Sequence, residues 1–167
     1  SYYLNPLAAL ADERPVIFYD QLGAGRSDKP TDGTLWRVER FVEELRRLRT
    51  ELRLDEVHIL GHSWGAMLAV DYMLTKPAGV RSLILASPGL SIRRFLDDAQ
   101  VLKKMLPESV QTVIAEQENA GTFDSPEYQS AVTEYYRRFL CRRDPWPDDV
   151  NQTFAEFGES VYRSMWG

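Results

Sequence analysis

Glu56-Val57-His58-Ile59-Leu60-Gly61-His62-Ser63-Trp64-Gly65-Ala66-Met67 decides the reading of this chain. A short apolar run ends in Gly-His-Ser-Trp-Gly, and apolar residues at helical spacing follow at once. This is strand, sharp turn and helix around a G-x-S-x-G motif, the context a nucleophile elbow requires. Ser63 is expected in a strained backbone conformation that lifts its hydroxyl clear of the end of a sheet. Gly61 and Gly65 stand two residues either side, where strand and helix are expected to pass too closely for a side chain. The N–H of Trp64 opens the helix and is expected to point at a developing oxyanion. The alternative is a structural glycine-rich turn that happens to hold a serine; the flanking strand and helix favour the elbow.

Upstream, Tyr2, Tyr3, Leu4, Leu7 and Leu10 predict a short helix over residues 2–11, broken by Asp12-Glu13-Arg14-Pro15. Val16-Ile17-Phe18-Tyr19 is a continuous apolar run after a proline, which predicts a strand buried on both faces. Asp20 to Pro30 is a glycine-rich loop without the spacing of a phosphate cradle. Asp20, Arg26 and Asp28 are expected to fix that loop by hydrogen bonds. A long amphipathic helix follows to about Arg53, with Leu35, Val38, Phe41, Val42, Leu45, Leu48 and Leu52 on one stripe. Its arginines alternate with acids, so the other face reads as solvated rather than as a nucleic-acid patch.

Downstream, the helix after the elbow runs from Trp64 to Lys76 and stops at Pro77 and Gly79. Val80 to Ala86 reads as another buried strand. The alternation implies an α/β fold with a parallel sheet, whose ligand site lies beyond the carboxyl ends of the strands. After Ser87-Pro88-Gly89 strand signals cease. Helices are expected over about 91–104, 107–120, 125–140 and 148–163, as a lid after the sheet. The expected domains are therefore 1–87, the elbow-bearing core, and 88–167, the helical cap. Most aromatics of the second part read as its own core; Trp146, Tyr162 and Trp166 are the candidates for substrate contact.

A serine nucleophile needs a base, and the base an orienting carboxylate. His62 adjoins Ser63, where neighbouring side chains diverge, and His58 lies within the strand, where it reads as a satisfied core histidine. In this architecture the chain order is Ser, acid, His, and no histidine follows Ser63. The base and its acid are expected outside these residues.

The remaining composition excludes more than it assigns. The net charge of −5 argues against a nucleic-acid partner or an anionic membrane surface. No apolar run approaches the ~18 residues of a membrane span. Cys141 is the single cysteine, so no intrachain disulfide forms, and a cytoplasmic location is expected.

Tyr19-Asp20-Gln21-Leu22-Gly23-Ala24-Gly25-Arg26-Ser27-Asp28-Lys29-Pro30, Gly61 to Ala69, Leu140-Cys141-Arg142-Arg143 and Val161-Tyr162-Arg163-Ser164-Met165-Trp166-Gly167 together resemble proline iminopeptidases. The resemblance covers the whole chain and implies a partial α/β-hydrolase fold followed by a helical cap. It implies Ser63 as nucleophile, the Trp64 N–H as half of the oxyanion hole, and no metal or organic cofactor. It further implies a serine aminopeptidase that releases an N-terminal residue, often proline, from short peptides through an acyl-enzyme. The family's His-Gly-Gly-Pro-Gly segment would precede Ser1, and its acidic residue after the Met-x-Gly-Pro region would follow Gly167. The chain therefore reads as a middle portion, with a complementary C-terminal fragment as its expected partner. Leu22 stands where many relatives carry arginine. Glu116, Glu118, Glu127, Glu134, Glu156 and Glu159 read as solvated helix carboxylates, with ammonium binding as the alternative for each. A related amino-acid amidase or esterase, or a catalytically incomplete binding module, remains the competing function.

Overall fold

The computed structural model describes residues 2–166, except the side chains of Glu159 and Trp166. The chain forms two compact units, Ser1–Leu90 with Asp149–Gly167, and Ser91–Asp148. The helical stretch from residue 88 is thus shared between them. Residues from 149 onward join the first unit through specific contacts: Asn5 Nδ2 donates to Asp149 Oδ1 at 3.2 Å and the Tyr2 hydroxyl to Glu156 Oε2 at 2.6 Å.

In the first unit, β1 (Val57–His62), α2 (Trp64–Leu74) and β2 (Val80–Ala86) form one βαβ element. The two strands are parallel, with Leu60 opposite Ile84, Gly61 opposite Leu85 and His62 opposite Ala86. The amphipathic helix α1 (Val38–Glu51) lies against α2. Trp36, Phe41 and Leu68 form the buried centre, with Leu22, Leu35, Val42, Trp64, Val161 and Met165 packed around them. Phe41 is only 1% exposed. Its removal from water contributes on the order of 2–3 kcal/mol, which makes it a main tie between α1 and the elbow.

Several sequence expectations are corrected. Val16–Tyr19 forms no strand and pairs with none among the described residues, and Ile17 and Phe18 are 46% and 45% exposed. A strand exists only where a neighbour completes its ladder, and β1 and β2 pair with each other. Nor are β1 and β2 buried on both faces. Exposure alternates along β1, and Leu60 (39%) and Ile84 (49%) stand side by side on an uncovered face. His58 shares that face, so it is an exposed residue whose Nδ1 meets Ser82 Oγ at 2.7 Å, not a core histidine. Tyr2–Asp12 winds as a 3-10 helix rather than an α-helix. Pro6 inside it has no N–H to give and crowds the preceding turn.

The expected last helix divides into α6 (Asp148–Ala155) and α7 (Glu159–Trp166). Gly158 lies at the break, where a Cβ would stand 2.7 Å from the Gly23 carbonyl oxygen. The close passage of two backbones therefore interrupts a continuous apolar pattern.

The second unit contains α3 (Ile92–Lys103), α4 (Glu108–Ala120) and α5 (Pro126–Phe139). Their ends are local chemistry. Ser91 Oγ accepts from the Arg94 N–H at 3.3 Å and Ser125 Oγ from the Tyr128 N–H at 3.2 Å. Gly121 stops α4 in the left-handed conformation at φ 68°. Leu106, Ile114 and Ala131 are buried, with Val110, Val113, Tyr128, Tyr135 and Phe139 around them. Lys103 Nζ bridges to Glu118 Oε1 at 2.6 Å, joining α3 to α4.

The two elbow glycines behave differently. A Cβ on Gly61 would lie 2.6 Å from both Cα and N of Ala66, whereas one on Gly65 meets nothing within 4 Å. The expected steric need for glycine holds at Gly61 and is corrected at Gly65. Gly61→Ala is therefore expected to lower stability by about 2–4 kcal/mol. Gly65→Ala, near the start of a helix, should be neutral or stabilising by up to ~1 kcal/mol. Urea midpoints of the two variants check this; equal losses would contradict it.

Candidate active site

Ser63 lies between the last residue of β1 and the first of α2, at φ 52° and ψ −120°. Holding a non-glycine residue there costs on the order of 1–3 kcal/mol, so its surroundings must fix it. Its N–H donates to the Ala86 carbonyl at 3.0 Å, continuing the ladder by one residue. Its carbonyl accepts from the N–H groups of Ala66 at 3.0 Å and Met67 at 3.3 Å, starting α2. Both backbone ends are thereby fixed and the side chain is left exposed. Among the described residues the Ser63 hydroxyl has no hydrogen-bond partner. Among the described residues the N–H groups of Trp64 and Gly65 also meet no acceptor, as is usual in a first helical turn. An exposed hydroxyl thus stands next to unsatisfied donors at the positive end of a helix.

An aromatic stack supports the turn. Trp36 stacks on Phe41 at 6.5 Å between ring centroids, and Phe41 meets Trp64 edge-on at 5.9 Å. Trp64 Nε1 donates to Gln21 Oε1 at 2.9 Å, tying the elbow to the glycine-rich loop. Tyr19 is pushed up to about 12, chiefly by burial, with its hydrogen bond to Gln21 acting the other way. Within the loop, Asp20 Oδ2 accepts from the Arg26 N–H at 3.2 Å and the Asp20 carbonyl from Ser27 Oγ at 2.6 Å. The Asp28 carbonyl accepts from the Gly23 N–H at 2.8 Å. Glu44 Oε1 accepts from the Leu22 N–H at 3.2 Å, and burial raises the Glu44 carboxyl above the usual carboxylate range.

Neither histidine serves Ser63. His62 Nδ1 is 2.7 Å from the Tyr3 hydroxyl, with the rings edge-to-face at 5.0 Å. Burial holds its pKa below the ordinary imidazole value, favouring the neutral ring. His58 lies five residues back along the strand, ~16 Å away at the usual rise. No group of three or more His, Cys, Asp or Glu that could hold a metal occurs among the described residues.

The aromatic candidates for substrate contact are divided between the two units. Trp146 belongs to the second unit, where its Nε1 donates to the Cys141 carbonyl at 3.0 Å. Tyr162 belongs to the first, exposed, with its ring 5.3 Å from that of Phe157. The side chain of Trp166 lies outside the described residues. Of the helix carboxylates, Glu118 is engaged by Lys103, and Glu156 by Tyr2 and Gln152. Those two hydrogen bonds hold the Glu156 carboxyl below its usual range.

Sequence reading passed over Gln21, Tyr3 and Trp36. A glutamine in a loop and a tyrosine in an irregular helix carry no periodic signal. Trp36 precedes α1 and falls outside its stripe, although a large aromatic two residues before such a helix was a usable hint.

With this geometry established, the chain can be set beside known proteins. Residues 2–165 match the family model described as alpha/beta hydrolase fold. A proline iminopeptidase of Heyndrickxia coagulans is 48% identical over 99% of this chain and 58% of its own length. That of Saccharolobus solfataricus is 37% identical over 94% of this chain and 51% of its own. Among solved structures, that of VinJ superposes with a TM-score of 0.92 at 35% identity, covering 96% of this chain and 56% of that one. The proline iminopeptidase of Mycobacterium smegmatis gives a TM-score of 0.85 at 35% identity, covering 97% and 56%. The chain thus spans little more than half the length of the relatives it matches.

Strain at Ser63 has a measurable consequence. Ser63→Gly relieves the positive φ and, after the entropy cost of glycine, should raise stability by about 1 kcal/mol. Ser63→Ala keeps the Cβ and should gain nothing. Chemical denaturation of both variants checks this; a loss of stability in Ser63→Gly would show the turn to be unstrained.

Proposed function

The chain belongs to the α/β-hydrolase fold family, and from that premise we propose that it carries the nucleophile of a serine aminopeptidase that releases N-terminal proline from short peptides. The observation that carries the reading is Ser63: a strained, exposed serine between a parallel strand and a helix. The named relatives, proline iminopeptidases at up to 48% identity among those compared, supply the substrate class.

The proposed chemistry follows from the elbow. Ser63 Oγ attacks the carbonyl carbon of the substrate's first residue as a histidine base takes the hydroxyl proton. The oxyanion of the tetrahedral intermediate accepts from the Trp64 N–H, the first donor of α2. The C–N bond then breaks, the departing amine takes the proton from the histidine, and an acyl ester remains on Ser63. Water, deprotonated by the same base, cleaves the ester and restores the serine. In this proposal the base and its carboxylate come from outside these 167 residues, and the helical unit Ser91–Asp148 takes the part of the cap domain. The substrate's free ammonium would be held by carboxylates.

A second reading rests on one observation: among the described residues the Ser63 hydroxyl meets no base. On that reading the chain is a catalytically incomplete binding module. A related amidase or esterase activity of the same elbow is the nearer alternative.

Kinetics with three substrates separate these. The aminopeptidase reading expects prolyl p-nitroanilide to be cleaved at least about tenfold faster than its N-acetyl derivative, which lacks the ammonium. It also expects Ser63→Ala to lower kcat by about four to six orders of magnitude. Preference for a simple ester, indifferent to N-acetylation, would support the esterase reading. Binding of prolyl substrate without turnover would support the binding module.

A further inference from the structure

The second unit carries an arginine-lined concavity of its own. It is an open surface depression of about 530 Å³, lined by Glu134, Arg137, Arg138, Cys141, Arg142, Arg143 and Asp144. Arg137 and Arg138 form the last turn of α5. The chain then turns back, with the N–H groups of Leu140 and Cys141 both donating to the Tyr136 carbonyl at 2.9 Å. The indole of Trp146 holds the Cys141 carbonyl at 3.0 Å. This fixed turn sets Arg142 and Arg143 around the same space as the helical pair. Four cations against two carboxylates give the lining a net charge of +2, in a chain whose net charge is −5.

The helix dipole accounts for basic residues in a last turn, but not for the pair beyond it. A solvated salt-bridge face does not account for them either. The same E-x-x-R-R pattern occurs in α1, where Glu43 is clasped by Arg46 at 2.7 Å and Arg47 at 2.8 Å. Glu134 stands in that relation to Arg137 and Arg138, yet no carboxylate among the described residues lies within ion-pair distance of any of the four guanidiniums. Arg138 instead lies over the Phe139 ring, 5.9 Å from its centroid. Four exposed arginines line one space, and none of their guanidiniums has a hydrogen-bond or ion-pair partner among the described residues, an arrangement that a multivalent anion relieves and that guanidinium forks suit.

We propose that this concavity is a binding site for a small polyanion presenting two or more phosphate or carboxylate groups. Pyrophosphate and citrate are the probes, titrated calorimetrically into the whole protein at ~0.15 M salt, where loose surface pairing is screened. Saturable one-to-one binding of at least one probe is expected. Selectivity for pyrophosphate assigns phosphate as the ligand group, and selectivity for citrate assigns carboxylate. Arg142→Ala should weaken binding about tenfold or more, the value of a charge-assisted hydrogen-bonded pair. Arg93→Ala, which removes the same charge from α3, should change it less than about twofold. A folding-independent arm uses the unaltered protein: bound probe should slow alkylation of Cys141 by neutral iodoacetamide about threefold or more. Absence of binding by both probes, equal weakening in the two variants, or unchanged Cys141 alkylation at saturating probe would each overturn the assignment.

Discussion

At Gly61 the end of β1 passes so close to the first turn of α2 that no side chain fits between them, and the rest of the first unit follows from that approach. With Gly61 against the backbone of Gly65 and Ala66, the single residue joining the two at the turn's apex has no ordinary conformation open to it. Ser63 therefore takes φ 52°, and its side chain is left exposed. The strain costs on the order of 1–3 kcal/mol. Burial of Phe41 and Leu68 beneath the turn offsets it, each contributing a comparable amount. Exposure of the serine is thus a consequence of packing, not a local accident of the loop.

The same packing explains why residues far apart in sequence share one centre. The Trp64 indole meets Phe41 edge-on and reaches Gln21. The glycine-rich loop is drawn in by that bond, and Val161 of α7 closes the cluster from the chain's other end. Gly158 and Gly23 permit the contact because neither opposes it with a side chain. The helical unit obeys a simpler rule: its helices begin at serine or proline caps and end where glycine or a turn interrupts them.

What was legible in the sequence was what neighbours in the chain decide. The elbow, α1, α2, β1, β2 and the three helices of the second unit are written in local periodicity, caps and breakers. What was not legible depends on distant partners. An apolar run such as Val16–Tyr19 says that a strand would be favourable, but not whether a ladder partner is present. The same limit applies to the faces of β1 and β2: His58, Leu60 and Ile84 read as buried because the sequence does not state which face a helix covers. The split between α6 and α7 was hidden for a related reason, since Gly158 is needed by Gly23, some 135 residues earlier in the chain by subtraction of their numbers. At the candidate site, Ser63 and Trp64 were legible from the motif, whereas Gln21 and Tyr3 act through side-chain hydrogen bonds that leave no pattern in sequence.

The central proposal is that close packing at Gly61 holds Ser63 strained and exposed, where a base from outside these 167 residues makes it a nucleophile. Reaction of the native whole protein, with the segment supplying the base present, with a fluorophosphonate, followed by intact mass and peptide mapping, tests it most directly. The account predicts a single adduct, located on Ser63 and lost when the protein is unfolded before labelling. An unreactive native protein, or an adduct carried by another serine, would contradict it.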